Sequence, residues 1–221
     1  MLAPRAVLFD FDYTLADSSP GVIESVNWAM RSMGLPRRAD DAIRRTIGLS
    51  LARTFTTLTG DAAEGAGRFA ELFIERADEV MAERTSLLPG AREAVLALAN
   101  RGYRLGVVST KFRRRIETVL ARDGLRAPFE VIVGGEDVPA HKPDPACLLA
   151  ALAHLRIGAR DALYVGDSEV DGEAAHRAGV ALVGVLTGTT TREALGTWRP
   201  SVVLEHVGAL PDWLEDNCDG R

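Results

Sequence analysis

The sequence predicts an α/β fold, a Rossmann-like doubly wound parallel sheet with helices on both faces, interrupted by an α-helical insertion. Three observations carry this expectation. Six short apolar runs are too short for helices and too continuous for half-exposed strands. Helical patterns lie between most of them, the alternation expected of βαβ units. The stretch from Ala16 to about Thr85 breaks that rhythm and carries helical patterns only. The expected division is therefore a core of residues 1–15 and 86–221 and a helical domain of residues 16–85.

The elements follow in order. "AVLFDF" (6–11) is the first strand. Helices are expected at roughly 18–33, 39–47, 49–59 and 64–84, broken at Gly34-Leu35-Pro36 and Thr59-Gly60-Asp61. Pro89-Gly90 marks the return to alternation, followed by the helical "GAREAVLALANRG" and the strand "RLGVVST" (104–110). "EVIVGG" (130–135) is the next strand, "DPACLLAALAHLRIG" a helix, and "ALYVGD" (162–167), "ALVGVL" (181–186) and "SVVLEH" (201–206) complete the sheet. Right-handed crossovers place all strand C-termini on one edge, and an insertion after the first strand would hang over that edge.

The composition narrows the function. An apolar fraction of 47% and a charged fraction of 26% fit a packed globular chain of 221 residues. A net charge of −5 without a basic run argues against a nucleic-acid surface. Cys147, in an apolar helical stretch, and Cys218, in the tail, form neither a disulfide framework nor a metal spacing, which suits a reducing compartment. The apolar strand begins within six residues of the first, leaving no room for a signal peptide, and no run reaches the ~20 residues that span a bilayer. The expectation is a soluble, cytoplasmic protein with no membrane or nucleic-acid partner; the sequence is silent on whether it is a monomer or a homodimer.

Polar clusters end four of the strands. They are Asp10 and Asp12 in "DFDYT", Ser109-Thr110-Lys111, His141-Lys142 in "HKPDP" after "GGEDVPA", and Asp167 with Asp171 in "GDSEVD". Open parallel sheets bind ligands beyond the carboxyl ends of their strands, so the clusters are expected to converge. Asp10, Asp12, Asp167 and Asp171 then face the single cation Lys142. A hard divalent ion with oxygen ligands is expected to balance them, and Mg2+ suits that donor set. Beside such an ion, Ser109 can donate to a phosphoryl oxygen and Lys142 can neutralise another.

In these motifs and their spacing the chain resembles the haloacid dehalogenase-like hydrolase superfamily, in particular its phosphatases with a small helical cap. "LPGAREAVLALANRGYRLGVVSTK" and "VGGEDVPAHKPDP" look most like phosphoglycolate phosphatase-like and pyrophosphatase-like members. The resemblance implies that Asp10 is a nucleophile forming an aspartyl-phosphate and that Asp12 is the general acid and base. It implies a Mg2+ held by the Asp10 carboxylate, the Asp12 backbone carbonyl and Asp167, with Asp171 in an outer position orienting waters or Lys142. It also implies a small phosphorylated metabolite as substrate. Relatives commonly have glycine where Tyr13 stands; Tyr13 is expected to adopt an ordinary backbone conformation, its ring toward the hinge of the helical domain.

Other residues are weighed against plainer roles. Thr110 stands where relatives often contact substrate. Arg45 and Arg53, near Gly48 in "RRTIGLSLARTF", could grip a second anionic group of the substrate. Lys111 is expected to be a solvated first-turn residue, and Arg113-Arg114-Arg115 a solvated helix face. His141 reads as a loop residue. "TGTTTRE" resembles a phosphate cradle, but Thr190 with Glu193 reads better as a capping box. A sugar phosphomutase shares the same aspartates. A phosphorelay receiver combines aspartates, a metal, a hydroxyl and a lysine, but in a chain about half this length, with its acceptor on an interior strand.

Overall fold

The computed structural model describes residues 4–60 and 63–217; Cys218 lies outside them. The chain divides into two units, Asp17–Ser86 and the remainder. In chain order the elements are β1 (Ala6–Phe9), β2 (Ala16–Asp17), α1 (Ser19–Ser32), α2 (Asp40–Arg44), α3 (Leu51–Thr59), α4 (Ala66–Val80) and β3 (Ser86–Leu87). Then follow α5 (Ala91–Asn100), β4 (Arg104–Val108), α6 (Arg113–Arg122), β5 (Phe129–Val133), α7 (Ala146–Leu155) and β6 (Ala162–Gly166). The last are α8 (Glu169–Ala178), β7 (Ala181–Val185), α9 (Arg192–Gly196), β8 (Val202–Leu204) and α10 (Leu210–Asn217).

In the larger unit all six predicted strands form one parallel sheet, in the order β5-β4-β1-β6-β7-β8. Their near-continuous apolar character has a simple cause: both faces are buried. Along β1, Val7 and Phe9 point into one core layer, with Leu98, Ile116 and Val183; Ala6 and Leu8 point into the other, with Leu148, Leu155 and Tyr164. A period of two with both sets apolar gives an unbroken apolar run. The chain leaves β1 for β4 and β5 on one side and returns to β6, β7 and β8 on the other. The C-terminal end of β1 is therefore a topological switch point, the place where open sheets of this kind leave a crevice.

The smaller unit has its own core. Val26, Met30, Ile43, Phe55, Phe69, Phe73 and Met81 from its four helices are all buried together. Asp17 accepts a hydrogen bond from Ser19 N at 2.8 Å where α1 begins. Ser50 caps α3 by accepting from Arg53 N, and Gly60 ends that helix at φ +73, a left-handed stop that glycine takes without cost. Glu24 on α1 ties α4 through Arg76 and the following segment through Arg84. The helices are shorter than the sequence pattern predicts. Residues 45–48 form turns rather than continuing α2, and Gly48 stands at φ +95. Among the described residues no helix is long and apolar enough to cross a membrane.

Candidate active site

The polar clusters gather at the C-terminal ends of β1, β4 and β6. Asp10 directly follows β1 and is held by its own N–H, which donates to Val165 O on β6 at 2.9 Å. Ser109 directly follows β4, its N–H bound to Val133 O on β5. Asp167 directly follows β6. Ser168 then caps α8, and Asp171 is the N3 residue of that cap, its carboxylate reaching back to Ser168 N. Helix capping thus fixes Asp171. Lys142 precedes a proline across a cis peptide bond, and Asp144 starts α7 by accepting from Ala146 N at 2.9 Å.

Lys142 is the hub. Its ammonium lies 2.9 Å from Asp10 Oδ1, 2.5 Å from Asp171 Oδ1 and 3.0 Å from Tyr164 Oη. Tyr164 Oη accepts from Lys142 and lies within donating distance of Asp171 Oδ1 (2.9 Å) and of the Val108 carbonyl (3.1 Å). The other Asp171 oxygen accepts from the Ser168 hydroxyl and N–H. Asp171 therefore has both oxygens engaged. Asp10 does not: its Oδ1 is buried and close to Lys142 but accepts no hydrogen bond among the described residues.

The electrostatics ask for a cation. Ligand atoms of Asp10, Asp167 and Asp171 lie within 4.8 Å of one another, all three residues buried. Burial, partly offset by Lys142 and reinforced by Asp171 and Asp12, pushes the Asp10 carboxyl up to about 6. Asp167 is raised well above the ordinary carboxylate range, first by burial and then by Asp171 and Asp10. Burial alone would lower the Lys142 ammonium, but Asp10 and Asp171 hold it above its usual value. The Tyr164 hydroxyl is also raised, by burial and the same two carboxylates. Counting Asp12 and its partner below, four buried carboxylates face two buried ammoniums, so the fully ionised cluster carries two excess negative charges. One divalent ion would neutralise it, and the clustered carboxylates of Asp10, Asp167 and Asp171 fit such an ion.

The structure corrects four expectations. Lys111 is not solvated: its side chain is 4% exposed and its Nζ lies 2.9 Å from Asp12 Oδ2. The loop after β4 turns it inward. Tyr13 is in the left-handed region at φ +59, the conformation a glycine would take there, with its N–H bonded to Ala16 O and its carbonyl accepting from the Thr187 hydroxyl. Arg115 is buried, its guanidinium over the Phe112 ring at 4.9 Å, whereas Arg113 is exposed and pairs with Asp137. The cap of α9 is Thr191, accepting from Ala194 N, not Thr190.

The structure brings together Asp10, Asp12, Ser109, Lys142, Asp167 and Asp171. Thr110 is half-buried in the loop between Ser109 and Lys111, and His141 is exposed. Arg45 and Arg53 are exposed in the smaller unit. Four contributors escaped the sequence reading. Tyr164 looks like any strand residue. Thr187 and Gly188 follow β7 and brace the site: Thr187 bonds the Tyr13 carbonyl, Thr14 Oγ1 lies 3.5 Å from Asp167 Oδ1, and a Cβ on Gly188 would stand 1.9 Å from Asp167 Oδ2. Lys111 carried a compositional signal: of 26 lysines and arginines only two are lysines, Lys111 and Lys142, and both are buried among these carboxylates.

Comparison with known proteins places the arrangement. The family profile described as haloacid dehalogenase-like hydrolase matches residues 7–185. A phosphoglycolate phosphatase of Rhodospirillum rubrum is 35% identical over 221 residues, 96% of this chain and 91% of its own. One from Yersinia pseudotuberculosis is 33% identical, covering 94% of this chain and 92% of its own. A crystal structure from Bacteroides fragilis, described as a haloacid dehalogenase-like hydrolase, superposes with a TM-score of 0.90 at 38% identity, covering 94% of this chain and 99% of that one.

Proposed function

The chain belongs to the haloacid dehalogenase-like hydrolase family, and from that premise we propose that it is a Mg2+-dependent phosphatase acting in the cytoplasm on a small phosphorylated metabolite. Phosphoglycolate, named in the curated relatives, is the first substrate to test. The observation that supports the reading is the buried cluster of Asp10, Asp167 and Asp171, with Lys142 against Asp10 and Asp171.

Asp10, Asp167 and the Asp12 carbonyl would hold the Mg2+, which supplies charge neutralisation for the carboxylates and the incoming phosphate dianion. Asp10 is the nucleophile: a carboxylate oxygen forms the bond to phosphorus as the bond to the leaving oxygen breaks. Lys142 and Ser109 hold the non-bridging oxygens of the transferring group. Asp171 and Tyr164 fix Lys142 from behind. Asp12 gives a proton to the leaving oxygen and then takes one from the water that hydrolyses the aspartyl-phosphate, a role typically worth ~10²–10⁴-fold. Thr110, Arg45 and Arg53 are assigned to the remainder of the substrate.

The test is phosphate release from a panel of phosphorylated metabolites with and without Mg2+, for the wild type and for Asp10→Asn. The expected result is Mg2+-dependent release that Asp10→Asn abolishes while the melting curve stays cooperative. Full activity after exhaustive chelation, or near wild-type turnover by Asp10→Asn, would contradict the reading.

A further inference from the structure

Lys111 is the cation of this site that the mechanism above leaves unused. An ammonium is expensive to bury unless it is paired, and Lys111 is buried with its Nζ 2.9 Å from Asp12 Oδ2. The root of its side chain is fixed on both sides. Its N–H donates to Ser109 Oγ at 3.4 Å, and its carbonyl accepts from Gly135 N at 3.1 Å. Gly135 is held close because a Cβ there would stand 2.4 Å from the Thr110 carbonyl. The ammonium is thus delivered to Asp12 by a constrained turn, not by a free surface side chain. Asp12 itself is 10% exposed at the side chain and sits where the chain bends after β1, bridged to Ala16.

We propose that Lys111 is a positioning residue for proton transfer: by gripping Asp12 Oδ2 it holds Oδ1 for the leaving oxygen and then for the hydrolytic water. The proposal rests on Asp12 being the acid and base of the phosphatase reading. In the first step the Asp10–phosphorus bond forms, the bond to the leaving oxygen breaks, and that oxygen takes its proton from Asp12 Oδ1. In the second, Asp12 Oδ1 takes a proton from water, the water oxygen bonds to phosphorus, and the Asp10 carboxylate departs. A side chain held on one oxygen loses the rotation that would carry the other away from the reacting atoms, which is how positioning lowers a barrier.

The experiment compares Lys111→Met and Lys111→Arg with the wild-type full chain on three substrates. These are a neutral alkyl phosphate, phosphoglycolate as an anionic alkyl phosphate, and p-nitrophenyl phosphate, whose leaving oxygen needs no proton. Lys111→Met is expected to lower kcat/KM about tenfold to hundredfold on both alkyl phosphates and by less than about threefold on the aryl ester, with KM little changed. Lys111→Arg should recover most of the loss. On an Asp12→Asn background, Lys111→Met should cost nothing further. Loss confined to phosphoglycolate would mean that Lys111 grips the substrate anion, and equal loss on all three would mean a structural role; either overturns the proposal. Should Lys111→Met fail to fold, Asp12→Asn is compared with Asp12→Asn/Lys111→Met, where a further loss overturns it and equality supports it. Failure of the phosphatase reading is seen separately, as absence of Mg2+-dependent release by the wild type.

Discussion

Asp171 and Asp10 carry the same functional group in one buried cluster, yet their surroundings divide their work. Asp171 has both oxygens bound, by Lys142 and Tyr164 on one side and Ser168 on the other. Among the described residues, Asp167 has the Thr14 hydroxyl at 3.5 Å and the Gly188 backbone beside it. Asp167→Ala should therefore raise the Mg2+ concentration for half-maximal activity more than Asp171→Ala. Asp171→Ala should instead cost stability, about 3–5 kcal/mol for breaking one side of a buried ion pair. Denaturation midpoints and Mg2+ titrations of the two variants check this, and the reverse order would exchange their roles. The pH dependence follows from Asp10. Its folded value of about 6 lies above its unfolded value of 3.8, so the metal-free fold binds more protons than the unfolded chain between those pH values. The contribution is present below the unfolded value and is lost as pH rises through about 6, on the order of 2–3 kcal/mol. Metal-free protein should lose this contribution as the pH rises from about 4 to about 6, and Mg2+ should raise the melting temperature more at pH 7 than at pH 5, since it replaces the proton. A Mg2+ shift larger at pH 5 would contradict the assignment. The six acidic, hydroxyl and lysine residues that the structure brings together were legible because their clusters lie beyond apolar runs. Lys111 and Tyr164 were not, because burial of the first depends on which way a loop turns and the second alternates into the core like any strand residue.

At the level of elements, the strands were legible and the loop geometry was not. Strands buried on both faces leave an unbroken apolar signature, and all six form the sheet. Helix ends were blurred, because three consecutive threonines offer equal caps and only the path of the chain selects Thr191 over Thr190. The αL turn at Tyr13 was missed for a related reason: non-glycine residues rarely take it, at a cost of roughly 1–2 kcal/mol, and here the Thr187 hydroxyl and the Ala16 carbonyl hold it. The loop after β7 thus braces both the bend after β1 and Asp167. Gly188→Ala places a methyl group where Asp167 Oδ2 stands, so the carboxylate must move. The expected outcome is a fold close to wild type, with Mg2+ affinity and kcat both reduced by about tenfold or more, in line with losses seen when groups supporting a metal ligand are altered. Unchanged Mg2+ dependence would show that Asp167 reaches the metal from another rotamer. Thr191→Ala on α9 serves as the contrast: about 1 kcal/mol of stability lost with Mg2+ dependence intact.

For the whole molecule, the division into two units separates two tasks. The residues proposed for the chemistry all belong to the larger unit, and they address the phosphoryl group that every candidate substrate shares. Discrimination between substrates is proposed to lie in residues 17–86, which hold Arg45 and Arg53 exposed over an independent core. If either arginine reads a second anionic group, its alanine variant should lose about one to two decades of kcat/KM on phosphoglycolate and much less on p-nitrophenyl phosphate. Equal losses on both would assign the arginine to the folding of its own unit. The placement of both lysines beneath the surface has one more consequence, for proteolysis. A protease that cleaves only after lysine meets two candidate bonds in this chain, and the one after Lys142 leads into Pro143, which such enzymes do not cut. The Lys111–Phe112 bond remains, inside the site and between strand and helix. Cleavage into two near-equal halves would therefore register local unfolding of the segment between β4 and α6 as a single event on a gel. Bound Mg2+ should slow it by holding that segment folded.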